Sequence, residues 1–154
     1  MAKDVNLTIV LPAKIYLQEK VGSVIVPAVR ADVDILPNRA PSVFALDFGL
    51  LQLLNENGSV KSKYFIQSGM AEVVDNECKV MTQGIIPADI TAHEAKKRLD
   101  MAESEQMKIF YQMILDYQRG VRRRYLRTLQ LYSKKLKKRR FLKSAKSSNT
   151  SKNG

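Results

Sequence analysis

Residues equipped for chemistry are few in this sequence. One histidine, His93, and one cysteine, Cys78, stand among 154 residues, so no intramolecular disulfide forms and the soft ligands are too few for a zinc site. His93 follows Thr91 and Ala92, where a helix is expected to begin. No HExxH, GxSxG or glycine-rich phosphate loop accompanies it, so it reads as a solvated first-turn histidine. Cys78 reads as a packing residue of a strand, and no pair of carboxylates stands at a spacing that serves as acid and base. The chain is therefore expected to be non-catalytic, with no metal. What it holds in excess is cations, and they are unevenly placed. Residues 1–118 carry 12 Lys and Arg against all 15 Asp and Glu, a net of −3, whereas residues 119–154 carry 14 Lys and Arg and no acid, a net of +14. Such a run acts by pairing with acidic groups or phosphates, so an electrostatic partner is to be sought at that segment.

The elements that position these residues change character once along the chain. From Val5 to about Pro87, short alternating or apolar runs are separated by turn residues, the pattern of an all-β sandwich or barrel. Val5, Leu7 and Ile9 alternate with Asn6 and Thr8; the runs Ile15 to Leu17 and Ser23 to Val29 follow. Asn57-Gly58 between two strand-like runs predicts a hairpin with a type I′ turn, whose second strand would place Val60, Tyr64 and Ile66 on one face and Lys61 and Lys63 on the other. A second hairpin is expected to turn near Asp75-Asn76. Ahead of both lies "VDILPNRAPSVFAL", Val33 to Leu46, where Pro37 and Pro41 remove two backbone donors and bias Leu36 and Ala40 away from helix. That segment is expected to be a stiff connection at the edge of the sandwich. Stiffness suits a contact surface, because less ordering entropy is lost on binding; a plain corner between strands would look the same.

Past Pro87 the period becomes helical. Thr91 to Glu94, "TAHE", has the form of a capping box, and Ala95, Leu99, Ala102, Ile109, Met113, Ile114 and Tyr117 recur at helical spacing. The polar run Glu103 to Gln106 is the candidate break, and no Gly or Pro interrupts before Gly120. Leu126, Leu129, Tyr132 and Leu136 then recur among the cations, predicting a basic amphipathic second helix. The last residues are Ser, Lys and Asn and read as disordered. The expected architecture is an N-terminal antiparallel β-sandwich over residues 1–88, a C-terminal two-helix hairpin domain over 89–143 and a disordered basic tail over 144–154. Apolar stretches such as Leu50 to Leu54 fall far short of the roughly 18 residues of a spanning helix, and no targeting segment is evident at the N-terminus. The chain reads as an intracellular, soluble or peripheral protein.

A sandwich followed by two helices, with these motifs in this order, resembles the epsilon subunit of bacterial F-type ATP synthase, the counterpart of the mitochondrial delta subunit. The resemblance runs from about residue 4 to about residue 100. The family usually shows an acidic residue and then Gly-Ile-Leu-Pro-Gly-His-Ala-Pro. Here "DVDILPNRAP" keeps Asp32, Ile35, Leu36, Pro37, Ala40 and Pro41, and departs at Asp34, Asn38 and Arg39. "DFGLLQLL", "QSGMAEVV" with Gly69, Glu72 and Val73, and "ADITAHEA" are similar to further family stretches.

The resemblance implies a non-catalytic central-stalk subunit that binds gamma and the c-ring, links the two for proton-coupled ATP synthesis, and makes transient contact with the alpha/beta catalytic head. It associates with the membrane through that complex, as a peripheral protein on the cytoplasmic face of the bacterial inner membrane. By resemblance the contact residues are Asp32, Val33, Pro37, Asn38, Arg39 and Pro41. The helices are expected to lie against the sandwich or extend toward the head, where Arg122, Arg123, Arg124, Arg127, Lys134, Lys135 and Lys138 would restrain hydrolysis by meeting acidic residues. Some members bind ATP at the helix start through Ile/Leu-Asp-x-x-Arg-Ala. Here Ile90 to Ala95 has Thr91 for the Asp and Glu94 for the Arg, which argues against nucleotide binding and leaves the chain without a cofactor. No nucleic acid is expected as partner. The alternatives, from the cations alone, are a basic nucleic-acid-binding protein or a peripheral protein whose basic helix lies on anionic lipid.

Overall fold

Strand side chains point alternately to opposite faces, so Val5, Leu7 and Ile9 share one face and Asn6 and Thr8 the other. In the computed structural model, which describes residues 1–120, the three apolar residues are buried in the core. Ten strands follow in order: β1 (Val5–Leu11), β2 (Lys14–Val21), β3 (Ser23–Pro27), β4 (Asp32–Ile35), β5 (Ser42–Leu46), β6 (Gly49–Leu54), β7 (Val60–Ile66), β8 (Gly69–Val74), β9 (Glu77–Thr82) and β10 (Ile85–Pro87). They form two five-stranded sheets, ordered β2-β1-β9-β8-β5 and β10-β7-β6-β3-β4. The expected sandwich is present, with one departure from the antiparallel pattern, since β1 and β9 run parallel. The chain divides into two compact units after Ile90.

One buried cluster holds the sheets together. Leu7, Ile9, Ala71, Val73, Cys78 and Val80 from the first sheet belong to it with Val24, Val26, Ile35, Leu51, Leu53 and Ile66 from the second. Full burial of each large aliphatic side chain is worth about 1.5 to 3 kcal/mol. At one side, the Tyr16 and Tyr64 rings meet edge-on with centroids 6.0 Å apart, and Lys61 reaches across from β7 to Glu19 of β2 at 3.4 Å. The pair is exposed, so it contributes little energy; its position links strands of different sheets.

Both expected hairpins form. Asp75 and Asn76 both have positive φ, 49° and 63°, as a two-residue turn of the primed type requires. The first hairpin is built differently from expectation. Only Gly58 has positive φ, at 87°, with Gly58 N donating to Asn55 O at 2.9 Å and Asn55 N to Ser59 O at 2.8 Å. That is a three-residue loop with glycine in the left-handed position, and the register shifts between Leu53 and Leu54 as a bulge demands. Val60, expected on the buried face, sits beside this turn and is exposed. Phe65, which shares the face of Lys61 and Lys63, is buried and stacks on Phe48.

In the second unit, α1 (Ala92–Met101) and α2 (Glu105–Gln118) pack on each other. Thr91 caps α1, its hydroxyl accepting from Glu94 N at 3.1 Å. The reciprocal half of the capping box is replaced: the Glu94 carboxylate accepts from Arg98 Nε at 3.1 Å. Ser104 caps α2 by accepting from Met107 N at 3.2 Å, which makes the break next to Glu103 real. The turn therefore falls before the basic segment, not at it, so α1 and α2 themselves form the pair. α2 ends at Gln118, followed by Gly120 at φ 81°. Its buried residues include Met113 and Ile114, as the spacing predicts, and also Phe110, Tyr111 and Leu115. The expected basic helix and the tail of residues 144–154 lie outside the described residues.

Candidate functional site

Asp32 opens β4, the edge strand of the second sheet, where it stands opposite Pro27. Along β4 the two-residue period turns Val33 and Ile35 toward the core and Asp32 and Asp34 outward. The chain then leaves through Leu36–Pro41 and enters β5, the edge strand of the first sheet. The elbow is thus the crossover between the two sheets, and its prolines stand where no ladder donor is needed. Val33 is half-buried against the core, so of the expected contact residues it is the one turned inward. Asp32 is exposed, yet partial burial pushes its carboxyl above the ordinary value of 3.8. An exposed acid that keeps a desolvation cost is a candidate contact group.

Asn38, at the position where the family usually has glycine, has φ 63°. Asparagine is among the few side-chain-bearing residues that accept this left-handed conformation. Its side chain pairs with Ala2, Nδ2 donating to Ala2 O at 2.8 Å and Oδ1 accepting from Ala2 N at 3.3 Å. Arg39, which replaces the family's histidine, lies with its guanidinium carbon 5.1 Å from the centre of the Phe44 ring. Its Nε is 3.5 Å from Ser42 Oγ, and that hydroxyl donates to Ala40 O at 2.8 Å. The substituted cation is therefore held over an aromatic face, an arrangement that favours a permanent planar charge.

Across the outer face of the first sheet lies a surface that sequence reasoning missed. Registered neighbours of the first sheet put Ile15 beside Val10, Val10 beside Met81, Met81 beside Met70, and Met70 beside Ala45. These five form an apolar row across the outer face of the sheet. Ile15 is 58% and Met70 44% exposed, and Val43, two residues before Ala45 on β5, is 62% exposed. Val10, Leu11, Met70 and Met81 also line a groove of about 480 Å³ at the end of the sheet away from the elbow, beside Ser68 and Gln83. The signal was there in "IVL" and "KVM": consecutive apolar residues break the alternation of a strand with one solvated face.

The remaining chemistry-bearing residues do not assemble. His93 is exposed in the first turn of α1, and Cys78 is buried, its thiol pushed up to about 12 by burial, which removes it as a nucleophile. No group of His, Cys, Asp and Glu that could hold a metal exists among the described residues. Along Ile90 to Ala95, the Thr91 hydroxyl and the Glu94 carboxylate are committed within α1. No helix of the described residues is long and apolar enough to cross a membrane. Arg122, Arg123, Arg124, Arg127, Lys134, Lys135 and Lys138 lie outside the described residues.

Comparison with known proteins gives consistent results. The family described as ATP synthase, Delta/Epsilon chain, beta-sandwich domain matches residues 4–88. The ATP synthase epsilon chain of Granulibacter bethesdensis is 36% identical over 100 residues, covering 64% of this chain and 73% of its own. That of Paramagnetospirillum magneticum is 31% identical over 116 residues, covering 70% and 86%. A chain in the Euglena gracilis mitochondrial ATP synthase structure, OSCP/F1/c-ring, aligns with a TM-score of 0.58 at 22% identity, over 75% of this chain and 78% of that one, which speaks to the fold.

The raised carboxyl of Asp32 has a testable sign. The folded chain holds its proton more tightly than the unfolded chain does, so ionised Asp32 opposes folding above the folded-state value, and the penalty vanishes below 3.8, where both states are protonated. Asp32→Asn is expected to melt above the parent at about pH 7, with the gap closing as the pH falls through this window. Paired thermal melts check it; a gap independent of pH, or a lower melting temperature for the variant at neutral pH, would contradict the assignment.

Proposed function

The chain belongs to the ATP synthase delta/epsilon family of non-catalytic subunits, and from that premise we propose that its sandwich binds gamma through the apolar row and meets the c-ring through the elbow. The observation that carries this reading is the row itself, running across the first sheet from Ile15 to Ala45 on β5, the strand that the stiff Leu36–Pro41 crossover enters. Uncovered apolar side chains in a continuous line mark a contact surface. Charges accompany the elbow, with Asp32, exposed but partly desolvated, on the strand that leads into it and Arg39 held over Phe44. Together they link gamma to the ring in proton-coupled synthesis, as part of a peripheral central stalk on the cytoplasmic face of a bacterial inner membrane.

The net +14 of residues 119–154 belongs to the same reading as a regulatory device. The seven cations from Arg122 to Lys138 would restrain hydrolysis by transient pairing with acidic residues of the catalytic head. Nucleotide has no part in it: Glu94, standing where the family's nucleotide-binding members have arginine, would repel phosphate and is already paired with Arg98.

Three measurements check these statements. Met70→Glu and Val43→Glu, both outward-facing, should change sandwich stability by no more than about 0.5 kcal/mol while weakening gamma binding by roughly tenfold or more each; unaltered affinity would remove the row from the interface. Replacing the seven cations by Ala as a block should raise ATP hydrolysis of the reconstituted complex. Exposed pairs contribute only about 0.2 to 1 kcal/mol each, so moderate salt should bring the parent toward the block variant. Unchanged hydrolysis with lost affinity for RNA or anionic vesicles would instead assign the segment to nucleic acid or lipid. Titration of the isolated chain with MgATP should give no saturable signal up to millimolar levels, and micromolar binding would overturn the reading of Ile90 to Ala95.

A further inference from the structure

Asn76, on the turn between β8 and β9, has polar groups that reach two distant segments at once, the elbow and the start of the chain leading into β1. Its Oδ1 accepts from the backbone N of Asn38 at 3.1 Å. Its Nδ2 donates to Asp4 O at 2.7 Å, and its own carbonyl accepts from Asn6 N at 3.1 Å. Asn38 completes the arrangement from the other side through its two bonds to the Ala2 backbone. The elbow, the lead into β1 and the β8–β9 turn, separated along the chain by 36 to 72 residues, are thereby joined by two side-chain amides.

We propose that Asn76 is a positioning residue for the elbow, acting with Asn38 to set where Pro37, Arg39 and Pro41 stand. Its consequence for coupling rests on the reading that the elbow is a contact surface. The chemistry asks for asparagine. A primary amide offers a donor and an acceptor on separate atoms of one short side chain, where a hydroxyl must make both bonds from a single oxygen; aspartate keeps the acceptor alone, and glutamine carries its amide one methylene farther out. Both Asn38 and Asn76 also stand at φ 63°, which asparagine tolerates and most residues do not. The elbow needs this outside support because Pro37 and Pro41 contribute no N–H. Few elbow donors remain to anchor it, and the Asn38 amide is the one that Asn76 takes.

The test separates positioning from general stability. Asn76→Gly removes the amide while suiting the positive φ; Asn76→Asp retains the acceptor for Asn38 N but loses the donor to Asp4 O. In the full chain, hydrogen exchange at the Asn38 amide should be roughly 5- to 10-fold faster in Asn76→Gly, the scale of one lost hydrogen bond. Asn76→Asp should restore most of the protection, and the core amides of Leu7 and Val80 should be unaltered in both. Unchanged exchange at Asn38 in Asn76→Gly would overturn the proposal. So would equal acceleration at Leu7 and Val80, or an aspartate variant that behaves like the glycine one. In the reconstituted ATP synthase, proton pumping per ATP hydrolysed should follow the same order, lowest for Asn76→Gly. Should exchange behave as expected while pumping stays at the parental level, Asn76 still positions the elbow, and it is the elbow's role as a contact that falls.

Discussion

The burial of one face of each sheet against the other is the constraint from which the surface follows. Leu7, Ile9 and Val80 on one side and Val24, Leu51, Leu53 and Ile66 on the other are withdrawn from water, and a slip of one residue in any strand would turn its whole apolar set outward. With the inward positions settled, the outward ones are settled too. Met70 must face solvent because Ala71 faces the core, and Met81 because Val80 does. The apolar row is therefore a set of side chains left over after the core is satisfied, aligned by the same register that builds the core.

The elbow solves a different problem. A sandwich needs connections between its sheets, and Leu36–Pro41 makes one between two edge strands, β4 and β5. Prolines tolerate edges because the missing donors would have faced solvent. The turn into the elbow requires a left-handed residue, and Asn38 supplies it while adding an amide that glycine lacks. The substitution leaves the backbone path open to the chain and adds a tether to its N-terminal segment. Arg39 likewise exchanges a titratable ring for a fixed charge, and Phe44 gives that charge a surface to lie on.

Charge is divided between the parts of the chain. The sandwich bears acids and bases in near balance, with Asp32 and Asp34 turned outward along β4, and its exposed ion pair between Lys61 and Glu19 contributes geometry more than energy. The cations gather beyond residue 118. A chain built this way keeps an apolar row, set by sheet register, apart from a cationic segment whose pairing with any acidic partner would weaken as salt rises.

The sequence by itself determined the class of fold, the stiff connection at Pro37 to Pro41, the helix start at Thr91, the candidate break over Glu103 to Gln106 and the scarcity of chemistry-bearing residues, because each depends on local properties: period, proline, capping and residue type. The hairpin at Asp75-Asn76 was legible for the same reason, and Asn57-Gly58 marked a hairpin correctly while misleading about its turn, since the bulge at Leu53/Leu54 comes from cross-strand register. Tertiary structure alone decided the rest. The parallel pairing of β1 with β9, the alignment of Ile15, Val10, Met81, Met70 and Ala45 into one row, and the meeting of Asn38 with Asn76 join residues that are distant in the chain. No local periodicity encodes which strands become neighbours, because that choice is made by the joint burial of both sheets.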